Sequence, residues 1–498
     1  MRPRSRRSDR CGTRMIFPPV PADSDVAGPH SSVKKAFLPR SQSPHFFPMN
    51  ATAPQPVVDP ATVWAEAGSR LMQAAVPADA RPKLRPPWFV ERQAAARAEY
   101  AQLAAPQRKD EHWRFADLRK FDLSEAIPGE PFVGGDATAA VTRSVGLSHP
   151  AAKLILGNDR LLHADTAAAD GIVVMPLLDA LQVHGDLIKE HFMAQSAGLG
   201  GEKFYALHAA ALRGGVFVYV PAGLEVDRPV ELHQWLGGMH ASTFPHTLVV
   251  AGRGSKITVV DYFQSLGSEP GFACGVTDLA AGDGASITYV NCQRWSRKVR
   301  ALHFVSTTAG RDATVRSAFL HLGAAWARTE SFCLASGTGS RSEMFSLAVA
   351  EGTQEIDCRT RQIHGQPHTF SDLLFKNVLF DQARTIFSGL ILVEEGAHYT
   401  DAYQTCRNLL LSDEAEANAL PGLEINADQV KCSHGSTTGP LDGEQIYYLR
   451  SRGIRETEAR QLLALGFCRD VIERLGDADL EHALSSMVEE KFRRMRKA

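Results

Sequence analysis

The sequence predicts a mainly β chain wound as a solenoid and flanked at both ends by helical regions, on three observations. Between about Gly200 and Ile425, short strand-like runs are separated by Gly, Asp and Asn, with almost no long helical periodicity. Within that stretch four segments repeat a pattern of glycine, small or polar residues and then alternating β-formers: Gly252-Arg-Gly-Ser-Lys-Ile-Thr-Val-Val260, Gly282-Asp-Gly-Ala-Ser-Ile-Thr-Tyr-Val290, Gly310-Arg-Asp-Ala-Thr-Val-Arg-Ser317 and Gly337-Thr-Gly-Ser-Arg-Ser-Glu-Met-Phe345. Their first glycines lie 30, 28 and 27 residues apart. A period of this size marks coils that bury an apolar face only by stacking on the next coil, with glycine at the corners because it tolerates positive φ. A large β-sandwich with evenly spaced hairpins is the alternative. Third, apolar residues recur at helical spacing before Pro106 and after Pro440.

In chain order, residues 1–48 read as a disordered or over-called extension. Arg2, Arg4, Arg6, Arg7, Arg10 and Arg14 crowd its start, and repeated Pro and Ser follow with little periodicity. Met49 or Met15 would then be the initiator. A plastid or mitochondrial transit peptide is the alternative, against which Asp9, Asp23 and Asp25 count. Residues 49–150 read as an N-terminal helical region. Trp64, Leu71 and Met72 share one stripe, and Phe89, Ala94, Ala96 and Tyr100 another that starts near Pro87. Pro77 to Pro82 breaks the two. Residues 151–430 form the β core, with Leu423 to Val430 as its last strand. Residues 431–498 form a C-terminal helical region with stripes at Ile446 and Leu449, at Ala459, Leu462 and Leu463, and at Val471, Ile472 and Leu475. Gly453, Gly466 and Gly476 follow the stripes as C-terminal caps. Leu480, Leu484, Met487 and Val488 line a last helix, whose basic end from Lys491 to Lys497 suits a helix C-terminus.

Composition narrows the function. A formal net charge of -2 over 498 residues gives no electrostatic reason to expect a nucleic-acid binder, which usually shows a basic face. No apolar run approaches the roughly 18 residues of a membrane span. The eight cysteines, Cys11, Cys274, Cys292, Cys333, Cys358, Cys406, Cys432 and Cys468, form no C-x-x-C pair. Their wide spacing reads as reduced thiols in a cytoplasmic setting, not as a disulfide framework or a local metal knuckle. A metal site would need ligands gathered by the fold or by a second subunit. No G-x-x-x-x-G-K-[ST] loop occurs, so any ATP dependence must come from a partner.

The segment Leu420-Pro-Gly-Leu-Glu-Ile-Asn-Ala-Asp-Gln-Val-Lys-Cys-Ser-His-Gly435 carries the candidate chemistry. On an extended chain Cys432 and His434, two apart, point to the same face. A thiolate and an imidazole there can bind a soft or borderline transition metal, or form a nucleophile pair. A half-buried Cys beside a hydrogen-bonded His is the blander alternative. His364 and His368 have zinc-helix spacing, but Gly365 and Pro367 argue against a helix and two ligands leave a metal incomplete. Cys292 and Cys406, in or beside strand-like runs, read as packing thiols.

Lys431-Cys-Ser-His-Gly435, followed by Gln445-Ile-Tyr-Tyr-Leu-Arg-Ser-Arg-Gly453 and Gly466-Phe467, resembles in order and spacing the C-terminal signature of the SufB/SufD family of iron–sulfur cluster assembly proteins. His368-Thr-Phe-Ser371, Thr400-Asp-Ala-Tyr-Gln404 and Asn408-Leu-Leu-Leu-Ser412 look like further family elements. Lys109-Asp-Glu-His-Trp-Arg-Phe115 is similar to the Glu-x-Trp-Arg-Tyr element of the SufD branch, and no counterpart of the SufB Gly-Cys-Thr-Ala-Pro element is found. Ser436 departs from the more usual Ala. The resemblance implies a right-handed parallel β-helix between helical termini and a scaffold subunit, not an enzyme. It implies pairing with a SufB-like paralogue through the β-helix and a SufC-like ABC ATPase on the helices from Glu444 to Met495. A transient iron–sulfur cluster would form at the paralogue interface on the histidine matching His434, with Cys432 at the same interface by position. ATP would act only through the ATPase, reduced FAD is associated with such complexes, and a homodimer is an alternative to the heterocomplex. The rival readings are a SufB-like scaffold and a carbohydrate-active β-solenoid enzyme. Localisation is expected to be cytoplasmic, or the plastid stroma if residues 1–48 are a transit peptide.

Overall fold

The computed structural model describes residues 60–73, 85–166 and 171–495. The readings of residues 1–48, of the initiator and of the Pro77–Pro82 break lie outside them. Two long, mainly parallel sheets face each other as a β-solenoid. From its last strand, the first runs Glu416–Ile425, Arg384–Val393, Glu355–His364, Trp326–Ala335, Val299–Ala309, Gly271–Ala281, His246–Ala251, Val216–Val220 and Val173–Pro176. The second runs Lys431–Gly439, Asp401–Leu410, Phe370–Leu379, Arg341–Ala350, Thr314–His321, Ser286–Arg294, Lys256–Ser265, Val230–Leu236, Ala152–Gly157 and Arg160–Asp165. The chain alternates between them, so the sandwich of hairpins is replaced by coils; antiparallel pairs occur only where the solenoid begins. Ile257, Ile287, Val315 and Met344 from one sheet and Val249, Val305 and Ile356 from the other fill the space between.

The repeat is a register. Lys256, Ser286, Thr314, Arg341, Phe370, Asp401 and Lys431 stack in line, extending the four glycine-marked segments by three coils that the glycine pattern did not mark. The physical role of the glycines also differs from expectation. Positive φ falls two residues after the leading glycines, on Gly254, Gly284, Asp312 and Gly339. The leading glycines serve close approach instead: a Cβ on Gly337 would lie 2.0 Å from the backbone nitrogen of Arg311 in the coil below.

The helices are α1 (Pro60–Gln73), α2 (Pro87–Gln102), α3 (Gly134–Arg143), α4 (Leu177–Val183), α5 (Gly185–His191), α6 (Glu202–Ala211), α7 (Gly443–Ser451), α8 (Glu456–Ile472) and α9 (Ala478–Met495). Three of them, α4 to α6, fall inside the segment read as β core. In α6 every residue from Lys203 to Ala211 is buried, so it has no polar face and no amphipathic period to betray it. At the other end, Lys431–Gly439 is a strand paired with Asp401–Leu410, so the β core runs nine residues past the expected boundary. Gly453 and Gly476 take the positive φ of a cap, whereas Gly466 lies inside α8. Lys491 is no free terminal cation either: it is nearly buried, with Nζ 2.6 Å from Glu351 Oε1. The inner stripes of α8 and α9, including Ala464, Cys468, Val471, Leu484 and Val488, cover the outer face of the second sheet at Val290, Cys292, Leu320, Leu347 and Leu374.

The interior also holds titratable groups, and these set an acid limit on the fold. Burial lowers His208, His321 and His364 to about 4 and, with His321 and His208 adding repulsion, His303 to about 3. His246 is lowered well below its ordinary value by burial and by His208. Unfolded histidines titrate near 6.5. The unfolded chain therefore takes up these protons first, and stability is lost as pH falls from about 6.5 toward 4. Asp261 and Asp278, pushed up by burial to about 6, act the other way, because the folded state takes their protons first. Glu330 and Glu355, also raised by burial, add to that offset. Burial lowers His191 and His233 as well, so seven histidines stand against four carboxylates, and each net proton costs about 1.4 kcal/mol per pH unit. Melting temperature is expected to fall between about pH 7 and pH 5; a flat or rising profile would refute this.

Candidate functional site at the open end of the solenoid

The last strand is Lys431–Gly439, not Leu423–Val430. The latter segment begins at the end of Glu416–Ile425 and turns the corner through Asn426-Ala-Asp-Gln429, with Gln429 at φ 57°. In the final strand Cys432 pairs in register with Ala402, His434 with Gln404 and Ser436 with Cys406. Residues in register on parallel neighbours project to the same side. That side is the interior: Cys406 is packed in the main core, and Gln404 Nε2 donates to the Gly389 carbonyl of the opposite sheet. Cys432, His434 and Ser436 therefore share the inner face of the last coil. No further strand covers that coil among the described residues, so the face opens at the end of the solenoid.

Cys432 is half-buried and His434 exposed. Cys432, Leu423, Ala427 and Val430 pack on Ile391, Val393, Ala397 and Ala402. Burial pushes the Cys432 thiol up; a backbone hydrogen bond from Ala402 opposes this and the Asp401 carboxylate reinforces it. The resting group is thus a thiol, and a metal bound there would displace its proton. His434 makes no hydrogen bond or ion pair among the described residues, so its ring is not committed to the fold. No three His, Cys, Asp or Glu groups converge on a metal position among the described residues. The face supplies two donors side by side and leaves the rest of a coordination shell to come from elsewhere.

On the same inner side, running back into earlier coils, is a polar ladder that sequence reading did not single out. Asn377 Nδ2 donates to Asn408 Oδ1 (2.6 Å), and Asn408 Nδ2 to Thr438 Oγ1 (2.9 Å). The Ser436 hydroxyl hydrogen-bonds the Cys406 thiol, which burial raises to about 12. The signal was available in the spacing of 377, 408 and 438, close to the coil period. Cys292, likewise raised to about 12 by burial, lies beneath the C-terminal helices. His364 is no zinc ligand: both ring nitrogens are engaged, with Thr369 Oγ1 at 2.8 Å and Ser371 Oγ at 2.9 Å. His368 stacks on Tyr399 at a corner.

The Lys109–Phe115 element lies far from this end in role. Trp113 is buried, stacks on Trp326 and receives the Arg328 guanidinium 4.0 Å above its ring. It anchors the N-terminal region to the first sheet.

Comparison with known proteins agrees with this architecture. The family described as "SUF system FeS cluster assembly, SufBD core domain" matches residues 235–467, and the "SufBD protein N-terminal region" matches residues 150–232. The chain is similar to the iron–sulfur cluster assembly protein SufD of Bacillus subtilis, at 28% identity over 82% of this chain and 95% of the relative. It is similar to SufD of Escherichia coli at 27% identity, over 78% and 89% respectively. A chloroplastic SufBD family protein of Arabidopsis thaliana is 24% identical over 79% of this chain and 75% of its own. Among the described residues no helix is long and apolar enough to cross a membrane. With a parallel β-solenoid, helical termini and matches that together run from residue 150 to 467, the chain belongs to the SufB/SufD family of iron–sulfur cluster assembly proteins.

Proposed function

We propose that this chain is a SufD-like scaffold subunit of a cytoplasmic SUF complex, and that it holds iron and sulfide at an interface with a SufB-like paralogue. The observation that carries the reading is the pair Cys432 and His434 on an unpaired edge strand, with too few donors nearby to complete a site alone. The backbone edges of Lys431–Gly439 and Glu416–Ile425 are ready to accept another chain's strands. A partner added there would bring its own ligands over the open face. His434 would bind through a neutral ring nitrogen and Cys432 through its thiolate. Iron and sulfide are cargo in this scheme. ATP would be hydrolysed by a SufC-like ATPase, and reduced FAD, expected only for the whole complex, is assigned no residue of this chain.

The ATPase is proposed to dock on the C-terminal helices. Tyr447, Tyr448 and Leu462 are exposed apolar side chains there, and α7 buries none of its residues. Deleting the helices would uncover the outer face of the second sheet, so substitutions give the cleaner test. Anaerobic co-expression with SufB-type and SufC-type partners is expected to yield a complex containing iron and sulfide. In it, Tyr447→Glu with Leu462→Glu should lose the ATPase and keep the paralogue. Failure of the unaltered chain to retain the paralogue, or a complex without iron and sulfide, would overturn the reading.

A further inference from the structure

A cleft of about 480 Å³ lies between the outer edge of the second sheet, the end of α3 and α9, away from the open end of the solenoid. Five cations line it: Arg143 from α3, Arg294 and Arg297 after strand Ser286–Arg294, and Lys491 and Arg494 from α9. Only two carboxylates do, and each is already shared by two cations. Glu351 lies 2.6 Å from Lys491 and 3.4 Å from Arg297. Glu490 lies 3.3 Å from Arg294 and also pairs with Arg494 one turn along the helix. Arg143 has no carboxylate partner among the described residues; its guanidinium sits over the Trp235 ring at 5.1 Å.

Charge and shape both point to a ligand. The excess of three positive charges in one concavity is unfavourable for the empty protein and attracts an anion. Guanidinium forks match the oxygens of a phosphate, and the hydroxyls of Ser265 and Ser268 add neutral donors along the wall. The volume falls in the range of small-molecule sites, larger than a simple ion needs. Trp235 and Trp295 are buried in the wall, so they stiffen the cleft and offer no open ring for a base. We propose that this cleft binds a small phosphorylated anion, a diphosphate or phosphate ester of up to nucleotide size.

The test is calorimetric titration of the full chain with inorganic pyrophosphate, orthophosphate and ADP. Pyrophosphate is expected to bind at one site and to weaken with added salt. Arg494→Glu should weaken it about tenfold or more, as loss of one charge-assisted contact does. Arg494 is 68% exposed and its ion pair is with Glu490 on the same helix, so this variant keeps the fold. Arg143→Gln should weaken binding in the same way. Tighter binding of ADP than of pyrophosphate would assign the remaining volume to a nucleoside, and equal binding would assign the site to the phosphates themselves; both sustain the proposal. No binding of any of the three, or equal affinity in wild type and both variants, would overturn it.

Discussion

In a complex reconstituted with SufB-type and SufC-type partners, the His434→Ala variant is expected to assemble normally and to accumulate no cluster. Assembly should survive because His434 is exposed and makes no hydrogen bond within the chain, so its loss should change stability by less than about 0.5 kcal/mol. Strand pairing at the edge uses backbone groups, which the substitution leaves in place. Cluster formation should fail because no neighbour can replace the imidazole. Of the adjacent inner residues, Cys432 is already a ligand in the proposed site, while Ser436 and, one coil back, Gln404 are poor ligands for iron beside sulfide. Iron and acid-labile sulfide per complex are the readout. Wild-type amounts in the variant would remove His434 from the site, and loss of the complex itself would make the residue a docking group instead.

The largest effect on the chain alone is expected at Arg328. Its side chain is fully buried, with Nε 2.6 Å from Glu330 and Nη1 2.7 Å from Asp357. Nη2 donates to the carbonyls of His112 and Leu199. Burial alone would lower this guanidinium, but Asp357 and Glu330 outweigh it and hold the group above its ordinary value. Arg328→Met would leave Glu330 buried without its cation and Asp357 with Arg359 alone. Breaking a buried pair in this way costs about 3–5 kcal/mol. Arg328→Lys should not rescue, because one ammonium cannot reach all the acceptors that the planar fork spans. Chemical denaturation would decide the matter, and a loss below about 1 kcal/mol would show that the network relaxes or admits water.

How much of this was legible in the sequence depended on the residue. The coil period was readable wherever a glycine was forced by stacked backbones, as at Gly252, Gly282 and Gly337. It went unread beyond Phe345, where the corresponding corners put non-glycine residues, His368, Tyr399 and Gln429, at positive φ. The Cys432–His434 spacing gave the shared face directly, since alternation in a strand is local. It could not say whether that face was inner or outer, because the answer depends on register with Asp401–Leu410. Helix α6 was hidden by complete burial, and the Lys491–Glu351 pair by a sequence separation of 140 residues. The Glu111–Phe115 motif was visible as a motif, but its work as a tryptophan anchor under Arg328 needed the fold.

Among the described residues the solenoid ends in two uncovered edges of 10 and 9 residues. Pro421 interrupts the donors of one, while the other carries neither proline nor an inward charge to blunt it. Made without a companion, such a polypeptide would be an orphan whose ends invite stacking on its own copies. Its yield in a cell would then follow the supply of whatever caps those edges more than its own rate of synthesis. Matched production of the two halves would act as quality control, leaving surplus copies to proteolysis.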